Sequence, residues 1–362
     1  MTISILTKRC DLRCRHCMRS SFSSEFLDVG LHDRWIRDIL LGYGHQKYWS
    51  LTGGEPTLHP DLDQILQSYS RYNIHSLTIM TNGQLDQGVK KIIENKHCVN
   101  FIRLSIDGPN KFINDAIRGV GSFDKAIESC KEYKNSGLRV GFGITLHDEN
   151  IDDLENYFEL ALSLKVSINI WDLQKWVEPN TGENRIKSLQ SEKDITWSAD
   201  TYKKFLNKKQ DLIKKYTKLF PENSIGISDK FAFKNPEREW VCENFSSDPR
   251  WAKSPPFRLV LLPDGQVSIC CDIYDVNYNI HKYNSNIYFE EPLNDIVGDF
   301  KTQSIQTIIV SKTKQFEELN RRRKRDMDSG VLINGRENIC TNCAYYHYQP
   351  NNLTKQIPIA IN

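Results

Sequence analysis

The first half of this 362-residue chain predicts an α/β fold with a parallel sheet. Strand-like runs alternate with helix-like runs, the helical runs repeat apolar residues at helical spacing, and each unusual motif falls directly after a strand-like run. Residues 2–6 open the series as a short strand. Further strands are predicted at Tyr48–Leu51, Ser76–Met80, Phe101–Ile106, Arg139–Thr145 and Ser167–Trp171. Helices are predicted between them at His32–Leu41, Leu62–Arg71, Gln87–Glu94, Ser122–Ser136 and Asp152–Leu164. In the last of these Leu154, Tyr157, Phe158, Leu160, Ala161 and Leu164 recur at the period of an amphipathic helix. Units of this kind join parallel strands by right-handed crossovers. Their ligands gather at the C-terminal ends of the strands.

The pattern changes after Trp176. Residues 177–198 are polar, carry Pro179 and Gly182, and read as a loop or linker. Residues 199–218 read as one long amphipathic helix. A second region begins near Trp240, where two β-rich runs flank Pro263-Asp264-Gly265, a hairpin signal. A helix over 304–325 follows. The expected division is 1–175, 176–238 for linker and long helix, and 239–362.

Composition excludes several classes. A net charge of +2 gives no electrostatic argument for nucleic acid or a membrane surface. The basic run Arg321–Arg325 closes a predicted helix, where the macrodipole favours cations, and reads as a solvated helix end. No segment reaches the ~20 consecutive apolar residues that span a bilayer, and the N-terminus lacks the marks of a signal peptide. A cytoplasmic protein is expected. The ten cysteines then point to metal or redox chemistry, because a reducing compartment disfavours disulfides. Cys98 and Cys130 stand alone and read as buried apolar thiols.

Cys10-Asp-Leu-Arg-Cys14-Arg-His-Cys17 has the spacing C-x3-C-x2-C on the loop after the first strand. Three thiolates on a 4Fe–4S cluster leave one iron open to a substrate or cofactor. The alternatives are a zinc site completed by His16 and plain structural thiols. The second motif, Leu51-Thr52-Gly53-Gly54-Glu55-Pro56, follows the second strand, and its glycines open the backbone to close approach.

This order of motifs resembles the radical S-adenosylmethionine (SAM) superfamily. There the residue before the last cysteine is usually aromatic, as His16 is, and the glycine turn at Gly53, Gly54 and Glu55 holds the amino group of the methionine moiety. The resemblance covers about residues 1–175 and implies a partial (β/α)6 barrel with an open side. By the same resemblance Asn82, Ser105 and Arg118 bind the ribose or carboxylate of SAM, and Thr145 and Trp171 flank the adenosine. The implied chemistry is reductive cleavage of SAM and hydrogen-atom abstraction from the substrate by a 5′-deoxyadenosyl radical. A one-electron reductant such as flavodoxin or ferredoxin is the implied partner.

In the last third, Cys242, the Gly265-x4-Cys270-Cys271 element and Cys340-Thr-Asn-Cys343 resemble the SPASM/twitch extensions of that superfamily, as does the segment 298–308. The resemblance implies a smaller α+β domain with one auxiliary 4Fe–4S cluster on Cys242, Cys270, Cys340 and Cys343. Cys271 is an alternative to Cys270, and a structural zinc on the same four cysteines remains an alternative to the cluster. Two substrate classes follow. A small polar molecule of sugar or aminocyclitol type, oxidised or epimerised, fits a single auxiliary cluster and a barrel that starts almost at residue 1. The alternative is crosslinking, oxidation or epimerisation of a ribosomally made peptide. A zinc-binding interaction protein is the reading from another class.

Overall fold

The computed structural model describes residues 2–17, 24–46, 48–172, 184–186, 195–197, 199–221, 224–228, 259–268, 280–283, 287–289 and 296–328. Six strands build the barrel wall: β1 (Thr2–Ile5), β2 (Trp49–Thr52), β3 (Leu77–Thr81), β4 (Val99–Ser105), β5 (Val140–Leu146) and β6 (Ser167–Asp172). They pair in sequence order, all parallel, so the predicted α/β class and parallel sheet are observed. The helices are α1 (Val29–Tyr43), α2 (Leu62–Arg71), α3 (Asp86–Glu94), α4 (Lys111–Arg118), α5 (Ser122–Asn135) and α6 (Leu154–Ser163).

Alternation along each strand decides which side chains meet the helices. Leu77 and Ile79, Ile102 and Leu104, Phe142 and Ile144, and Ile168 and Ile170 are all buried. They belong to one core with Trp35 and Ile39 of α1, Tyr69 of α2, Tyr133 of α5 and Tyr157 and Phe158 of α6. Aromatic edges set the packing, with Trp49 and Tyr69 5.8 Å apart and Phe142 and Tyr157 6.2 Å apart between ring centroids. Cys98 and Cys130 are buried in the same core, as expected of apolar thiols.

Several elements depart from the sequence expectation. Helix α4 is not predicted, although Asn110 caps it by accepting from Ile113 N at 3.1 Å and Gly119 follows its end. Residues 177–198, expected to be a loop, contain a two-stranded antiparallel ladder of β7 (Asn184–Ile186) and β8 (Ile195–Trp197). Their β-branched residues are outnumbered by neighbouring charges, which hid the period. The long helix is found as α7 (Ala199–Tyr216), and Tyr216 packs on Phe158 at 4.9 Å. After it β9 (Ile225–Ser228) extends the sheet beside β6 in parallel.

The 263–265 hairpin is present between β10 (Leu259–Leu261) and β11 (Gln266–Ser268). Gly265 takes φ 84° in its turn, a conformation that glycine adopts without strain. β10 pairs in parallel with β1, and β14 (Ile296–Asp299) pairs with β11. These C-terminal strands therefore continue the barrel sheet from its β1 edge, a long-range pairing that no local pattern encodes. A separate ladder joins β12 (Ile280–Tyr283) to β13 (Ile287–Phe289). The last helix, α8 (Ile305–Asp328), contacts α1 and β14. Phe300, between β14 and α8, seats its ring 5.0 Å from Trp35.

Candidate SAM and cluster site

The described candidate SAM and cluster residues lie at C-terminal strand ends or in the segments that follow them. The loop after β1 carries Cys10, Cys14 and Cys17, all free thiols of intermediate exposure. It is fastened on two sides. On one side the glycine turn clasps its backbone: Gly54 N donates to Thr7 O and Glu55 N to Arg9 O, each at 2.8 Å. A Cβ on Gly53 would run into the Thr7 carbonyl oxygen, and one on Gly54 into that of Arg9. The glycines therefore admit the cysteine loop itself. Asn82 completes this side, donating through Nδ2 to Asp11 Oδ1 at 2.7 Å, with Cys10 Sγ 3.9 Å away.

Glu55 is fully buried and ties the turn to the end of β3. Its carboxylate accepts from Thr57 N (3.0 Å), Thr57 Oγ1 (2.6 Å), Thr81 Oγ1 (2.7 Å) and Asn82 N (2.7 Å). Burial pushes its pKa up to about 7, although the Asn82 N–H and the Thr57 and Thr81 hydroxyls pull the other way.

The other side of the loop is held by groups from α4 and from the segment after β5. Arg15 N donates to Ile117 O at 2.9 Å, and the Arg15 guanidinium pairs with both oxygens of Glu149 at 2.6 and 2.7 Å. His16 Nε2 lies 2.5 Å from Asp107 Oδ2. Arg118 Nε lies 2.6 Å from the same oxygen as an ion pair, with its N–H not aimed along the line, and Arg118 Nη1 stands 3.8 Å from Cys14 Sγ. Asp107 Oδ1 accepts from Thr145 N at 2.8 Å. Burial alone would raise the Asp107 carboxyl, but Arg118 and His16 outweigh it and hold it below the usual carboxylate range. His147, its ring 6.4 Å from that of His16, is held neutral chiefly by burial, its pKa lowered to about 4. Among the described residues His147 Nε2 and Tyr157 Oη have no hydrogen-bond partner.

The inner face of the sheet continues the site. Arg103, Ser105, Thr145, Asn169 and Trp171 all point away from the helical core and are only partly covered. Arg103 stacks on the Trp171 ring at 4.6 Å. They meet above Gly143, where a Cβ would lie 2.5 Å from Trp171 Cζ3.

The donor set fits a thiolate-bound cluster. Burial pushes the Cys14 thiol up to about 11 although Arg118 opposes it, and raises Cys10 further, so ionisation awaits a metal. Among the described residues no three His, Cys, Asp or Glu side chains stand close enough to share one metal ion. Three thiols spread along one loop suit a cluster better than a single zinc. Asp107, Glu149 and His147 were not picked from sequence; the Asp107-Gly-Pro turn after β4 was the available signal. Cys242, Cys270, Cys271, Cys340 and Cys343 lie outside the described residues.

Residues 4–161 match the family model described as the Radical SAM superfamily. The chain is similar to the Fe-coproporphyrin III synthase of Methanosarcina barkeri, at 30% identity over 165 residues that make up 44% of this chain and 40% of that protein. It is also similar to the mycofactocin maturase MftC of Mycolicibacterium smegmatis, at 27% identity over 173 residues, 47% of this chain and 43% of that one. The chain thus spans about two fifths of the length of these curated relatives. Native anSMEcpe with bound AdoMet and the Cp18Cys peptide shares the fold at a TM-score of 0.60 and 15% identity, over 88% of this chain and 82% of that one. Among the described residues no helix is long and apolar enough to cross a membrane.

Proposed function

We propose that the chain is a radical SAM enzyme that modifies a peptide, abstracting a hydrogen atom from it. One observation carries the SAM reading: the three-cysteine loop is clamped between the Gly53–Glu55 turn and the Asp107–Arg118 pair, at the rim of a polar inner sheet face. Cys10, Cys14 and Cys17 would hold a 4Fe–4S cluster. Once bound and reduced, such a cluster supplies the electron that splits SAM into methionine and a 5′-deoxyadenosyl radical. Around it the chain's own groups bind and orient: the turn at Gly53 and Gly54 takes the amino group, Arg118, Asn82 and Ser105 the carboxylate and ribose, and Thr145 and Trp171 flank the adenosine. Stacked Arg103 and Trp171 help keep water from the inner face. A one-electron reductant of flavodoxin or ferredoxin type fits as partner, and a reducing, cytoplasmic setting suits cysteines kept as free thiols.

A maturase among the relatives and a peptide-bound neighbour of the same fold favour a peptide. The sugar or aminocyclitol substrate expected from sequence finds no comparable support and gives way to it. An auxiliary cluster on Cys242, Cys270, Cys340 and Cys343 belongs to the same proposal, as a brace and as an acceptor for the electron left on the substrate. Reconstituted protein should then carry about eight irons, the content of two 4Fe–4S clusters.

The experiment is anaerobic incubation of the reduced, reconstituted protein with SAM. Native protein should release 5′-deoxyadenosine and Cys14→Ala none; equal release from both would sink the assignment. If the peptide reading holds, a perdeuterated peptide substrate should pass deuterium into the 5′-deoxyadenosine. Transfer from a small polar metabolite instead would defeat the peptide reading alone.

A further inference from the structure

We propose that Asp107 is a positioning residue of the SAM site: its carboxylate joins His16 of the cysteine loop to Arg118 of α4 and so fixes Arg118 beside Cys14. This rests on the SAM-binding reading above. Asp107 lies just past β4, two residues beyond Ser105, and is wholly buried. Its Oδ2 meets both His16 Nε2 at 2.5 Å and Arg118 Nε at 2.6 Å, and its Oδ1 takes the Thr145 N–H at 2.8 Å. Its main chain is pinned as well. Asp107 N donates to Asn114 Oδ1 at 2.9 Å, and Asp107 O accepts from Asn150 Nδ2 at 2.9 Å. Asn114 in turn donates to Ser122 Oγ at 2.9 Å. One residue thus joins the cysteine loop, α4, β5 and the segment after β5.

The arrangement has more constraint than stability requires. A buried ion pair adds little that packed apolar side chains would not supply, because desolvation consumes most of the attraction. What the pair does supply is direction. Arg118 has a planar fork, and with Nε held on Asp107 its Nη1 is left 3.8 Å from Cys14 Sγ. Release of Asp107 frees that fork to swing, and frees the His16 ring that stands between Arg15 and Cys17. Ser105 and Thr145, both read as SAM contacts, flank Asp107 in sequence and by hydrogen bond. Asp107 itself touches neither cluster nor SAM; it acts through Arg118 and His16, as outer groups around metal sites orient the inner ones.

The test uses the cluster-loaded full chain and Asp107→Asn, which keeps the shape and removes the charge. Iron content, melting temperature, SAM affinity by equilibrium dialysis, and the electron paramagnetic resonance of the reduced cluster with and without SAM are compared. The expected result is retained iron, a SAM Kd raised by about tenfold or more, and a SAM-induced spectral change that is lost or altered. A lowered melting temperature with unchanged Kd and spectrum would mean a purely structural residue and overturns the proposal. Should the Asn variant fail to hold iron, His16→Phe, Arg118→Lys and their double variant decide by SAM affinity. Residues acting through one carboxylate lose less together than the sum of their single losses, and additive losses overturn the inference. Native protein that binds no SAM defeats the functional reading instead, whereas native binding with an unaffected Asn variant defeats only this inference.

Discussion

The two faces of the barrel sheet differ residue by residue along the same strands. On β4, Ile102 and Leu104 are sealed under helices, while Arg103 and Ser105 between and after them face the interior. On β5, Phe142 and Ile144 face the helices, while Gly141, Gly143 and Thr145 face inward. β6 repeats the contrast with Ile168 and Ile170 against Asn169 and Trp171. A sheet buried only for stability would be apolar on both sides. Here one face carries the folding energy, and the other is left polar, glycine-rich and partly open. The difference separates stability from chemistry within a few ångströms of backbone.

That contrast can be broken experimentally. Phe142→Ala on the helix side should cost about 3–5 kcal/mol in urea unfolding, as for other buried aromatics, and a loss below 1 kcal/mol would deny that this face is the core. Glu55, buried at the rim, should impose a pH slope. Its pKa in the folded chain is raised to about 7 by burial, so its contribution is present below about pH 4.5 and lost as pH rises through 7. The loss should be about 3 kcal/mol, and Glu55→Gln should remove this fall between pH 5 and 8, leaving the opposite rise that His32 and His147, held neutral by burial, impose up to about pH 6.5. Asp107 titrates below this window and does not mask it. On the inner face Gly143→Ala should cost only about 1–3 kcal/mol, yet weaken SAM binding clearly, because the new methyl displaces the Trp171 ring. Smallest of all, Trp171→Phe should change stability by less than about 1 kcal/mol while still raising the SAM Kd. Equal effects of the inner and outer changes on SAM affinity would erase the distinction.

The strands and most helices were legible because burial on one face writes a period into the sequence. The cysteine loop and the glycine turn were legible because their chemistry is carried by residues within one segment. Helix α4 escaped because it is only eight residues long, and its cap Asn110 and terminal Gly119 were the sole local marks. The Asp107 network escaped for another reason: His16 and Asp107 are separated by 91 residues, and neither alone states the contact. Parallel pairing of β10 with β1 likewise belongs to the folded chain and not to either segment. Glu55 was read as a SAM contact, and the structure gives its carboxylate four internal donors, so its side chain organises the turn.

Hydrogen–deuterium exchange of the cluster-loaded chain, with and without SAM, addresses the central claim most directly. SAM should protect amides at 10–17, 53–55, 81–83, 105–107 and 145–147, where strand ends and the cysteine loop meet. Helices α2 and α6, on the far side of the sheet, should exchange as before. Protection confined to those helices, or no protection at any of the strand ends, would contradict the assignment of the inner face as the SAM site.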